Sequence, residues 1–110
     1  MSTWIDVCQF EDLQADSGVC ALANGTQIAI FYLTRLNKAF AIGNFDPFSQ
    51  ANVLSRGMVG DLNGSPMVAS PMYKQHFNLE TGCCFEDDKV KVPVYPVRID
   101  NNRVVIEIPE

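Results

Sequence analysis

Turn-forming residues recur so often along these 110 residues that no helix of ordinary length fits between them. Asn24-Gly25, Asn63-Gly64, Thr81-Gly82 and Asn101-Asn102 punctuate the chain. Asn and Gly tolerate the positive φ that a tight hairpin turn demands. Between these points the apolar residues are β-branched or aromatic, and they alternate instead of recurring at helical spacing. The pattern predicts an all-β antiparallel domain.

Individual strands follow from the same signals. Trp4 to Phe10 reads as a first strand, with Glu11-Asp12-Leu13 a short turn of helix or a loop. Val19 to Ala23, Thr26 to Leu33 and Ala39 to Ile42 form a meander, its second turn at Asn37-Lys38. Met58-Val59, Met67 to Ala69 and Phe77 to Leu79 read as short strands. Val94 to Ile99 and Arg103 to Ile108 make a last hairpin, with Val104, Ile106 and Ile108 on one face. Pro93 and Pro96 cannot donate to a ladder, so the first of these two strands lies at an edge or starts late.

The length suits one domain, residues 1–110, with enough surface buried to need no disulfide or metal staple. A net charge of −5 opposes nucleic-acid binding, which needs a basic face. No apolar run is long enough to span a bilayer as a helix, and Met1 to Asp6 has no basic-then-apolar leader pattern. A cytoplasmic location is expected. Cys8, Cys20, Cys83 and Cys84 then read as reduced thiols. No pair has C-x-x-C spacing, and the neighbours Cys83 and Cys84 would face opposite sides of a strand. His76 is the one histidine, so this chain cannot supply two imidazoles to a metal.

Two stretches depart from β alternation. Gly43 to Met58 has loop chemistry (Asn44, Asp46, Pro47, Ser49) yet carries Phe45 and Phe48. Ser70-Pro71-Met72-Tyr73-Lys74-Gln75-His76 is the second. Two loops entered from strands can grip something between their tips. Asp46 paired with Glu80 or Asp61 makes no acid–base site, since no spacing joins them. His76 reads as a surface or partner-contacting residue, and Glu86-Asp87-Asp88-Lys89 as a solvated turn.

On these loops, and on Phe77-Asn78-Leu79-Glu80-Thr81-Gly82 and Tyr95-Pro96-Val97-Arg98-Ile99, the sequence resembles the Rieske ferredoxin family from about Trp4 to Ile108. The resemblance implies a Rieske-like antiparallel β sandwich or barrel with two inserted loops. That family holds a [2Fe-2S] cluster by C-x-H in one loop and C-x-x-H in the next. Here the corresponding positions are Asn44 and Asp46, then Ser70 and Tyr73. With the ligands replaced, no cluster and no metal are expected.

The Asn44-Phe45-Asp46-Pro47 and Ser70-to-Gln75 loops, with Trp4-Ile5-Asp6-Val7-Cys8, are similar to one branch in particular. That branch is the small subunit of bacterial NAD(P)H-dependent assimilatory nitrite reductase. The resemblance implies a non-catalytic subunit that supports a large subunit carrying FAD, an iron–sulfur cluster and sirohaem, which reduces nitrite to ammonia. It implies no catalytic residue here. The retained loop tips, Phe45, Asp46, Phe48, Met72, Tyr73 and Lys74, are the expected partner surface, with Asp46 and Lys74 in its polar rim. Tyr73 either bridges the loops, filling the space of a cluster, or is exposed; the alternative for the tip is that these side chains fold inward into the vacated site, or that the phenylalanines do so while Met72 and Tyr73 face out. The alternative is a stand-alone cluster-free module for protein binding or regulation.

Overall fold

The structure is a computed structural model that describes residues 2–109, so Met1 and Glu110, the ends of the expected 1–110 domain, lie outside the described residues. Its regular elements are twelve strands and two short 3-10 turns, Phe10–Asp12 and Leu54–Arg56. The all-β expectation holds.

The centre of the molecule is the meander β2 (Gly18–Ala23), β3 (Thr26–Leu33) and β4 (Lys38–Gly43). Asn24 and Gly25 close its first turn with φ of 51° and 80°, the left-handed values that select these residue types. β3 reads Ile28-Ala29-Ile30-Phe31 without a polar break because both of its faces are covered. Ile28, Ile30 and, from β4, Ala41 pack against Val104, Ile106 and Ile108. On the other face Phe31, Leu33, Phe40 and Ile42 meet Leu54, Val68, Phe77, Leu79 and Val92. Each large apolar side chain removed from water in this way contributes about 1.5–3 kcal/mol.

The first of these layers is closed by the two ends of the chain. β1 (Ser2–Gln9) pairs antiparallel with β12 (Arg103–Pro109), which also pairs with β11 (Val97–Asp100). The expected strand from Val94 to Ile99 is in fact two. β10 (Val94–Tyr95) pairs with Ile42 and Ala41 of β4, and at Pro96 the chain crosses to the β1–β12–β11 sheet. Each proline thus stands beside an edge strand, where its missing N–H costs no ladder bond.

The second layer is a hairpin and its neighbour: β7 (Met58–Leu62), β8 (Ser65–Ala69) and β9 (His76–Asn78). Asn63 and Gly64 turn it, again at positive φ. A two-residue pair, β5 (Phe45–Asp46) with β6 (Ala51–Asn52), stands apart as the first of the two loops. Gly57 fixes where this loop rejoins the body. A Cβ there would lie 2.2 Å from the Ala69 carbonyl oxygen and 2.7 Å from a Val68 methyl. Only glycine lets the 3-10 turn press against β8.

Candidate functional site

The two loops leave the ends of β4 and β8, so a doubly packed strand and a hairpin strand hold their bases. The first residue beyond β4 is Asn44, and it is buried. Its amide Nδ2 donates to Gln27 Oε1 at 3.2 Å, while its Oδ1 accepts the Ser55 N–H at 2.7 Å. Its backbone donates to the Gln27 carbonyl and accepts from Leu54. Asn44 therefore ties the Leu54–Arg56 turn to the central sheet.

Two residues on, the extended backbone alternates, so Phe45 and Asp46 face opposite ways. The outcome is the reverse of what hydrophobicity predicts. Phe45 is 48% exposed and Asp46 is 0% exposed. Asp46 Oδ1 accepts the Phe48 N–H at 2.9 Å, and Oδ2 accepts the Ser70 hydroxyl at 2.5 Å. Ser70, also buried, accepts the Met72 N–H at 3.2 Å on its Oγ. Its backbone exchanges bonds with Gln75 and Lys74, which close the second loop on itself. One side-chain hydrogen bond thus joins the loops directly, between the second position of the first loop and the first position of the second.

This geometry corrects two sequence expectations. Asp46 is not in a solvated rim, because its carboxylate is the acceptor that organises both loops. Phe45 faces out as the partner-surface reading expects, whereas Phe48 turns inward, its ring 6.2 Å from that of Phe77. Of the two readings of Tyr73 the exposed one holds, at 60%, and the bridge between the loops is Asp46–Ser70. Met72 and Lys74 are exposed as expected.

The tip therefore presents Phe45, Met72, Tyr73 and Lys74 to solvent. Two further residues belong to it that sequence reasoning missed. Arg56 and Met58 line, with Ser70, Pro71 and Lys74, a cleft of about 250 Å³ between the second loop and the start of β7. Met58, 78% exposed, is the most exposed large apolar residue among the described residues. A methionine opening a strand gives no local signal of which way it faces.

At the base of the second loop His76 is not isolated. Its Nδ1 lies 2.5 Å from Glu86 Oε2, and its backbone N–H donates to Oε1 of the same carboxylate. Burial acts to raise the Glu86 carboxyl, but these hydrogen bonds outweigh it and hold the group below its usual range. The expected solvated turn at Glu86 to Lys89 holds, all four residues being exposed, and Glu86 in addition tethers this loop. Cys84 points into the core, where burial pushes its thiol up, and Cys83 is half-buried on the other side. Glu80 and Asp61 have no part in the tip: Asp61 is paired with Arg35 at 2.8 Å.

A Rieske centre requires two thiolates and two imidazoles converging between the loops. The side chains at the corresponding positions do not fit one. Asn44, Asp46 and Ser70 are neutral or carboxylate oxygen donors already spent on buried hydrogen bonds, and Tyr73 stands in solvent.

Comparison with known proteins agrees with the fold. The family described as "Rieske-like [2Fe-2S] domain" matches residues 3–107. The nitrite reductase (NADH) small subunit of Salmonella typhimurium is 43% identical over 104 residues, covering 94% of this chain and 96% of that protein. The solution structure of the Escherichia coli protein NirD superposes with a TM-score of 0.90 at 40% identity, over the full length of both chains. A nitrite reductase NAD(P)H large subunit from Klebsiella oxytoca is 36% identical over 101 residues, which are 92% of this chain but 10% of that protein. The chain belongs to the nitrite reductase (NADH) small-subunit family, built on a Rieske-like domain.

Proposed function

We infer that this chain is the non-catalytic small subunit of a cytoplasmic NAD(P)H-dependent nitrite reductase, working in nitrite assimilation as part of a complex with a large subunit. The observation that carries the reading is near-complete correspondence with a small subunit at 43% identity. The Klebsiella protein adds to it, because there a segment similar to this chain lies within a large subunit itself. Two chains that occur fused in one protein are suited to contact each other when separate.

The chain holds no redox centre in this reading. FAD, iron–sulfur cluster and sirohaem all reside in the large subunit, and nitrite is reduced there. The support is chemical: at the degenerate positions Asn44, Asp46 and Ser70 are hydrogen-bonded oxygen donors, Tyr73 stands in solvent, and the sequence has one histidine. The whole chain acts as one domain. Its docking face is the loop tip, with Phe45, Met72 and Tyr73 as apolar anchors and Lys74 at the rim; Phe48 and Asp46 act from beneath by holding the first loop. Aromatic and methionine anchors framed by polar residues are the usual make-up of an interface centre.

Co-expression of tagged chain with the large subunit of its own host, followed by affinity purification, tests this. The expected product is a complex that reduces nitrite with NADH or NADPH, while the chain purified alone carries no iron or acid-labile sulfide. Recovery of the chain without the large subunit, or stoichiometric iron and sulfide in the chain alone, overturns the reading.

A further inference from the structure

Among the described residues, six of the eight non-glycine residues with positive φ are Asn or Asp, the types that tolerate it; the other two are Gln50 and Lys74. These two lie in the two tip loops, one in each. Lys74, at φ 68°, is a long side chain held in a conformation that glycine would adopt without strain. Such a residue persists where its side chain is needed. The Lys74 N–H donates to the Ser70 carbonyl at 3.1 Å, so the strained turn is built onto the Asp46–Ser70 staple.

The charge balance around Lys74 is unusual for a chain of net charge −5. Arg35 and Arg103 are in ion pairs, and Lys38 and Arg98 lie over the rings of Phe40 and Trp4. Lys89 and Lys91 sit on the loop that follows Cys84. Arg56 and Lys74 converge on one cleft and form no ion pair among the described residues. The same cleft is bordered by Met58 and Pro71, both exposed, and no carboxylate lines it.

We propose that Arg56 and Lys74 form a cationic clamp that receives a carboxylate side chain on an acidic, apolar-flanked face of the large subunit. The proposal rests on the small-subunit reading and goes beyond it by fixing the chemistry of the partner's face. Two unpaired cations beside exposed methionine suit one carboxylate set among apolar groups. In an acidic protein such a patch also steers approach, because the rest of its surface repels an acidic partner. The left-handed backbone at Lys74 sets the direction of its side chain before binding, which lowers the ordering cost on association.

The test is binding of the full chain to the purified large subunit by biolayer interferometry. Arg56→Glu and Lys74→Glu should each weaken binding about tenfold or more. Lys38→Glu, which makes the same charge change at the opposite end of β4, should leave binding within about twofold. Lys74→Gly relaxes the left-handed turn, so its melting temperature should not fall, yet its binding should weaken. Wild-type affinity should fall steeply between about 0.05 and 0.5 M NaCl, and the charge-reversed variants should lose much of that slope. If the wild type binds but both reversals stay within about twofold, the clamp is wrong while the small-subunit reading stands. If the wild type does not bind the large subunit at all, the small-subunit reading falls and the clamp with it. Calorimetric titration of the chain with sodium nitrite gives the remaining arm. Saturable binding lost in Arg56→Glu would make the cleft a small-anion site and overturn the docking clamp.

Discussion

Replacing Asp46 by alanine removes the acceptor on which both loops converge. The Ser70 hydroxyl loses its partner in a buried place, and the Phe48 N–H loses its own in a part-buried one. Each orphaned buried donor costs about 1–3 kcal/mol, so Asp46→Ala should cost about 2–5 kcal/mol. That is a large share of the roughly 5–15 kcal/mol that holds a domain of this size. Ser70→Ala leaves the carboxylate with one donor fewer and frees the Met72 N–H, for a loss of about 1–3 kcal/mol. The double variant has no orphan at the bond itself, so its loss should fall short of the sum by about 1–3 kcal/mol. Urea unfolding with a common m-value reads all four corners of this cycle. Additivity within about 0.5 kcal/mol would show that the two side chains do not interact, and would refute the staple between the loops.

Three other outcomes follow from the same structure. Gly57→Ala drives a methyl into the Ala69 carbonyl and Val68, so it should cost about 1–3 kcal/mol or more in urea unfolding. Glu86 is held below its usual range, so its stabilisation is present above the ordinary glutamate pKa and is lost as pH falls through the lower folded value. Glu86→Gln should therefore cost under about 1 kcal/mol at pH 7, since the pair is largely exposed, and the gap to wild type should close under acid in pH-dependent melts. Native alkylation followed by mass spectrometry should label exposed Cys20 first and core Cys84 only on unfolding, with all four thiols reactive in denaturant without reductant.

Local chemistry made the strands legible. Asn24-Gly25 and Asn63-Gly64 turn where their tolerance of positive φ says they should, and β3 is the β-branched and aromatic run between two turn signals. The pairing of β1 with β12 was not legible, because a strand's sequence does not encode which distant partner completes it. The loops were visible as departures from alternation, but their interior was not. Asp46 in a run of loop residues reads as solvated, and its burial depends on Ser70, a residue 24 positions away. Once Asp46 turns inward, the pleat sends Phe45 outward, against its own hydrophobicity. The same dependence on a distant partner hid the His76–Glu86 pair and the convergence of Arg56 with Lys74. Pro93 and Pro96 signalled an edge; that the chain changes sheets between two edges needed the fold.

Whether this chain completes a nitrite reductase is measured directly by a titration. Purified large subunit, loaded with its own cofactors, is assayed for nitrite-dependent oxidation of NADH while this chain is added. The expected result is saturable activation that levels off at a fixed ratio of the two chains, with no added iron. Activity of the large subunit that is unchanged at every concentration of the chain, or activation only when iron and sulfide are supplied to the chain, contradicts it.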